Sequence, residues 1–96
     1  MPKQAIAELI NRIRRTILVH SVIYYELNDS IISDHRWSEW AMKLVELQND
    51  YPDIAAQCVY AEAFKDFDGS TGFNLPLDDP WANHKARQLL SWRQKQ

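Results

Sequence analysis

The stretch Tyr24-Tyr25-Glu26-Leu27-Asn28-Asp29-Ser30-Ile31-Ile32-Ser33-Asp34-His35-Arg36-Trp37 decides the fold. Asn28-Asp29-Ser30 breaks an apolar pattern with side chains that hydrogen-bond nearby backbone and favour a turn. Ser33 is a good N-cap, and Asp34 falls in the positive first turn of the helix it opens. Ile32 before the cap and Trp37 at the fourth helical position are placed for a hydrophobic staple. A connection this short makes antiparallel neighbours, so the stretch predicts two helices folded back on one another.

Upstream of the turn, Ile6, Leu9, Ile10, Ile13, Ile17, Tyr24 and Leu27 recur at helical spacing and predict a helix over about residues 3–27. Val19, Val22 and Ile23 widen the stripe, which implies burial on more than one side in the second half. β-Branched crowding over 16–23 leaves a strand as the alternative, but the unbroken helical period favours helix. Arg12, Arg14 and Arg15 fall mostly off the stripe. Downstream, Trp37, Trp40, Ala41, Leu44 and Leu47 share one face of a helix that runs to about Asp50 and is stopped by Pro52. Asp53 is placed to cap a third helix over about 54–65, carrying Ile54, Cys58, Ala61 and Phe64. Residues 66–79 form a loop whose Phe67, Phe73, Leu75 and Leu77 are expected to pack down. Asp79-Pro80 reads as an N-cap followed by Pro at the first helical position. The last helix then reaches about Arg93, with Trp81 and Trp92 expected to join it to the core. The fold class is therefore all-α: one domain over 1–96, with a hairpin over about 6–53 and C-terminal helices and a glycine-containing loop over about 54–96.

Composition narrows the functional classes. Ninety-six residues suit one modest core. Two Gly and four Pro leave little turn chemistry for a many-stranded sandwich or barrel. A net charge of −2 excludes a globally basic nucleic-acid binder. The total conceals basic ends, +3 over residues 1–19 and +4 over 84–96, around an acidic middle of −6 over 50–79. Those ends either pack beside the acidic middle or form a phosphate-binding face, and the acidic middle opposes nucleic acid as a partner. The single Cys58 cannot form an internal disulfide and suits a reducing, cytoplasmic setting. No apolar run approaches the roughly 18 residues of a membrane span, and no signal-peptide core opens the chain.

Most chemistry-bearing patterns fail on spacing. His35 and Glu39 are four apart, but two ligands make no metal site and neither HExxH nor CxxC occurs. Asp66-Phe67-Asp68-Gly69-Ser70 puts Gly at the fourth position of a would-be EF-hand loop and Leu77 at the twelfth, so Asp68-Gly69 reads as a turn. Gly69-Ser70-Thr71-Gly72 offers a weak anion nest or, more simply, a structural turn. The aromatic residues carry the best local signal. Tyr24 and Tyr25 close the first helix, and Trp37 and Trp40 lie one turn apart on the second, so the hairpin brings them together. With Asp34 nearby they form either an aromatic plug at the end of the core, which the pattern alone favours, or a surface that stacks a flat ring and hydrogen-bonds a ribose or amide.

At these same residues the chain resembles a known family. Tyr24-Tyr25, the acidic turn, Ser33-Asp34-His35-Arg36-Trp37-Ser38, Leu44-Val45-Glu46-Leu47 and Asp50-Tyr51-Pro52 look like the N-terminal Ia domain of bacterial NAD-dependent DNA ligases, over about residues 6–53. That resemblance implies a domain that binds the nicotinamide mononucleotide half of NAD. By resemblance, Tyr24 matches an aromatic on the nicotinamide side and Tyr25 stands where the family has Tyr or His. Asp34 matches an acidic contact, Trp37 replaces a tyrosine that stacks on nicotinamide, and Ser38 replaces a second Asp. Trp37 keeps the stacking face without a phenol hydroxyl, and Ser38 loses a charge.

The family's Lys-x-Asp-Gly nucleophile has a near match in Lys65-Asp66-Phe67-Asp68-Gly69, one residue too long. No adenylation domain surrounds it, so the chain is not expected to be an enzyme, nor to require a cofactor or metal. The second half, Phe64 to Pro76, then Asp79-Pro80-Trp81 and Lys85 to Leu90, resembles small stand-alone ligase-like proteins of phages and prophages. Two functions follow as expectations. One is a non-catalytic module binding NAD or nicotinamide mononucleotide at Tyr24, Tyr25, Asp34, Trp37 and Ser38, with Arg12, Arg14 or Arg15 reaching a phosphate if one turns inward. The other is a phage-encoded inhibitor or adaptor of a host protein, acting in the host cytoplasm, that has lost the nucleotide site.

Overall fold

A computed structural model describes residues 2–94, with the Gln94 side chain left out. Among the described residues five α-helices follow in order: α1 Lys3–Tyr25, α2 Asp34–Asp50, α3 Pro52–Ala55, α4 Ala61–Phe64 and α5 Pro80–Gln94. The described residues contain no strand, so the chain is all-α, as its periodicity predicts.

Helix α1 is the central element. Of its predicted stripe Ile6, Ile10, Ile13 and Ile17 are buried and Leu9 and Leu27 partly so, but Tyr24 is 54% exposed; from Ile17 to Ile23 only His20 keeps partial exposure. Burial on several sides explains how so β-branched a segment stays helical: packing outweighs the weak intrinsic preference. Asn28 ends the run in the left-handed conformation (φ 52°), which asparagine tolerates, and the Asp29 N–H reaches back to the Ile23 carbonyl. Ser33 then caps α2 by accepting from the Arg36 N–H at 3.1 Å. Cross-contacts at Arg14–Gln48 and His20–Trp40, together with the shared lining at Tyr24 and Trp37, step down one helix and up the other. The pair is therefore antiparallel. Helix α5 lies along α1 in the same general direction. Asp79 at its start holds Tyr60, beside the Asn11–Val59 contact, and Arg93 at its end holds Asp29 and Ser30. Asp79 caps this helix through the Ala82 N–H at 2.9 Å. Among the described residues no helix is long and apolar enough to cross a membrane.

Three expectations are corrected. The helix over about 54–65 is two single turns, α3 and α4, separated by residues 56–60. In a continuous helix the Ala55 carbonyl would accept from the Val59 N–H. Here the carbonyl accepts from Arg14 Nη1 at 3.0 Å, while the Val59 N–H donates to Asn11 Oδ1 at 2.9 Å. Side chains of α1 thus take over both halves of that helical bond, and Tyr60 turns left-handed (φ 57°). Asp53 lies inside the first turn of α3, with Tyr51 in the capping position.

The second correction is Arg14, which is 2% exposed rather than off the buried face. Its guanidinium donates to Gln48 Oε1 through Nε and Nη2, and to the Ala55 and Val59 carbonyls through Nη1. It also lies 5.7 Å from the centre of the Phe64 ring. Burial pulls its pKa down, yet arginine stays charged at any physiological pH. The third concerns the aromatic residues. Trp81 and Trp92 are exposed, and Phe73 is 64% exposed rather than packed down. Helix α5 is joined to the core instead by Ala82 and Ala86, whose small side chains let it approach α1 closely.

Candidate functional site

The α1–α2 turn and the loop after α4 enclose a cleft of about 220 Å³. Tyr24, Tyr25, Asp34, Trp37 and Ser38 all line it. Tyr24 and Tyr25 come from the last turn of α1, with ring centres 4.9 Å apart in an edge-on arrangement. Asp34, Trp37 and Ser38 come from the first turns of α2, which Ser33 caps; Trp37 is half-buried, and Asp34 and Ser38 are exposed. Ile32, the proposed staple residue, lines the same cleft as Trp37.

Sequence reasoning missed several walls. His20 lies one turn before Tyr24, and that i, i+4 relation was the available signal for it. Its Nδ1 is buried with no hydrogen-bond partner, and burial lowers its pKa, so the ring is neutral at pH 7. Ser70 and Thr71 reach the cleft from the far side. The segment that carries them is shaped locally: Asp68 accepts from the Ser70 N–H and hydroxyl, and Gly69 takes φ +85°. Thr71 is tied to Tyr25 by a 2.8 Å hydrogen bond, and Phe73 lies edge-on to Tyr25 at 5.5 Å. Gly72 presses against Ser21, where an added Cβ would sit 2.2 Å from Oγ, and against Trp37 at 3.3 Å. The Gly69–Gly72 segment is thus a strap across the cleft, with its side-chain hydroxyls already engaged.

The arginines lie elsewhere. Arg12 and Arg15 line a separate groove of about 440 Å³ with Ala5, Glu8, Leu9 and Asn11. They stand about 14–18 Å along the helix axis from Tyr24. Arg14 does turn inward, but into the core. Asp29 is held by Arg93 and the Ser30 N–H, which keep its carboxyl below the usual carboxylate range. The lining that remains is aromatic faces, hydroxyls and one carboxylate, Asp34.

The other patterns resolve simply. Lys65 donates to Glu62 at 3.0 Å on the surface, and that bond raises its pKa, the reverse of what a lysine nucleophile needs. His35 and Glu39 form an exposed pair at 3.4 Å, and the described residues hold no group of three or more metal-ligating side chains. Cys58 is buried, donates to the Ile54 carbonyl at 3.2 Å and has its pKa raised by burial.

A short helical hairpin with an aromatic, acid-bearing cleft at its turn defines the class of domain. Comparison with known proteins then gives a specific likeness. Over 54 residues the chain is 37% identical to the DNA ligase of Thermotoga petrophila (strain ATCC BAA-488 / DSM 13995 / JCM 10881 / RKU-1) and to that of Thermotoga maritima (strain ATCC 43589 / DSM 3109 / JCM 10099 / NBRC 100826 / MSB8). It is 38% identical over the same length to the DNA ligase of Thermosipho africanus (strain TCF52B). The matched part is 56% of this chain and 8% of each ligase. No protein-family model matches the chain, and no solved structure does.

Proposed function

We propose that this chain is a non-catalytic module of the ligase Ia type that binds NAD or nicotinamide mononucleotide in the cleft at the hairpin turn. One observation carries the reading: Tyr24, Tyr25, Asp34, Trp37 and Ser38, drawn from two helices, face one cavity. Trp37 and the tyrosines supply faces for a flat ring, and Asp34 and Ser38 supply acceptors for its amide and ribose. The volume is below the roughly 300–1,000 Å³ of sites for drug-sized ligands, so a ring and its sugar fit inside while the rest of a dinucleotide stays in solvent. The surface pairing of Lys65 agrees with a part that binds without joining DNA. The test is calorimetric titration with both nucleotides, with Trp37→Ala and Asp34→Ala beside the parent chain. Binding that either substitution weakens at least about tenfold supports the site. No heat at millimolar ligand, or binding that neither change affects, sinks it.

A second reading has its own support. Trp81 and Trp92 are three turns apart on one side of α5, and both are exposed, 41% and 51%. Exposed tryptophans are frequent anchors of protein interfaces, and they fit a phage-encoded adaptor or inhibitor of a host protein. Affinity capture from a bacterial lysate with the parent chain and a Trp81→Ala/Trp92→Ala variant separates the two. A partner retained by the parent and lost by the variant supports the adaptor, and no partner above background removes it.

A further inference from the structure

We propose that α5 is a self-association face: two copies of the chain pair through it, antiparallel, with Trp81 of each copy against Trp92 of the other. The proposal is independent of the nucleotide site. It takes up the tryptophans of the second reading and gives them a second copy of this chain as occupant.

Helix α5 packs on α1 and on no other helix to a comparable extent, so one flank of it is uncovered. On that flank Trp81, Lys85, Gln88 and Trp92 follow in steps of four, three and four. Positions 81 and 88, and 85 and 92, are therefore seven apart, the period of a helix–helix seam. The seam is about 16 Å long, and a tryptophan exposed by 41% or 51% stands at either end of it. It is also symmetric about its midpoint, with tryptophans outside and long polar side chains inside. Turned end for end against a copy of itself, it sets Trp81 against Trp92 and Lys85 against Gln88. A two-fold pair needs this self-complementarity. Lys85 donates to Gln88 at 3.2 Å within the chain, so the same donor and acceptor suit a bond across the axis.

Charge fixes the direction. Asp78 and Asp79 stand just before α5, and Arg93 lies in its last turn. Antiparallel pairing brings the acidic start of one copy beside the basic end of the other, and opposes the two helix dipoles, whereas parallel pairing sets like beside like. Area sets the strength. A tryptophan offers up to roughly 250 Å², so the exposed parts of four come to about 460 Å² and the whole seam to roughly 1,000 Å², the lower end for a specific interface. The polar pair at the centre specifies orientation at a cost in affinity. The pair is therefore weak, with a dissociation constant in the micromolar range.

Sedimentation equilibrium of the full chain, from about 1 μM to about 1 mM, tests this. The parent is expected to pass from monomer to dimer over that range. Trp81→Ser/Trp92→Ser, with its helical circular dichroism unchanged, should weaken pairing at least about tenfold. A nitroxide on Asp78→Cys reads the direction by pulsed electron resonance, since Cys58 is buried. Two labels of an antiparallel pair lie about 25 Å apart or more, and those of a parallel pair roughly 10 Å apart. A parent that stays monomeric at about 1 mM overturns the proposal, and so does a dimer that the double change leaves intact or labels at the parallel distance. A host protein held through the tryptophans of a chain that does not pair overturns it in favour of the adaptor. Pairing that persists where nucleotide titration gives no heat removes the nucleotide reading alone.

Discussion

The phenol oxygen of Tyr25 lies 2.8 Å from the hydroxyl of Thr71, across 46 positions of chain. That bond ties the helical hairpin to the loop that follows α4 and closes one side of the cleft. Thr71 also accepts from the Phe73 N–H at 3.1 Å, so the strap is fixed at both its partners. Tyr25→Phe and Thr71→Val are each expected to cost about 0.5–1.5 kcal/mol in urea unfolding. In the double variant the costs should fall short of their sum, because both single changes break the same bond. Strict additivity would mean that the bond does not form in solution.

Gly72 is set by space rather than by dihedral angle. Gly72→Ala places a methyl group 2.2 Å from Ser21 Oγ and 2.9 Å from Ser21 Cβ, and α1 cannot yield there without disturbing the core. Destabilisation of about 1–3 kcal/mol is expected by thermal unfolding. Adding Ser21→Ala removes the closer clash and should recover part of the loss. A neutral Gly72→Ala would contradict the close packing of the strap on α1.

Arg14 holds the broken segment after α3. Arg14→Met keeps most of the buried volume but leaves the Val59 carbonyl and Gln48 Oε1 without their donor. Each buried polar group left unpaired costs about 1–3 kcal/mol, so a loss of about 3 kcal/mol or more is expected from denaturant unfolding. Arg14→Lys should recover little, since one ammonium cannot reach three separated acceptors with the guanidinium's fixed geometry. A stable Arg14→Met variant would show that residues 56–60 take this shape without the guanidinium.

His20 gives stability a pH dependence of definite sign. Its folded pKa lies below the ordinary value, so the unfolded chain binds the proton more readily. Stability is then highest at pH 7 and above, and falls as pH drops below about 6.5 toward the folded pKa. His20→Gln should flatten melting temperatures between about pH 7 and pH 5.5, a range above the ordinary carboxylate pKa values. Equal slopes in the parent and the variant would assign the dependence to another group.

The hairpin was readable because the information is local, whereas Tyr24, Tyr25, Asp34, Trp37 and Ser38 were singled out by the resemblance to the ligase domain, the local pattern alone favouring an aromatic plug. Apolar spacing marks α1 and α2, and Ser33 fixes where α2 starts. The misreadings came from long-range competition. Residues 54–65 have a plausible helical pattern, and only Arg14 and Asn11, more than 40 positions away, divert its backbone groups. Arg14 looked peripheral because its burial depends on that same segment. Ser70 and Thr71 belong to the cleft through a close approach at Gly72, which spacing along the chain does not encode. Trp81 and Trp92 sit on a helical stripe, but α5 meets the core through Ala82 and Ala86, one position round the helix from Trp81 and its face.

The most direct measurement of the central claim is a nitrogen–proton NMR titration of the chain with nicotinamide mononucleotide. The largest shift changes are expected at the backbone amides of Tyr24, Tyr25, Asp34, Trp37 and Ser38, at the Trp37 indole, and across the cleft at Ser70 and Thr71. Shifts confined to Arg12 and Arg15, or none at millimolar ligand, would contradict a nucleotide site at the hairpin turn.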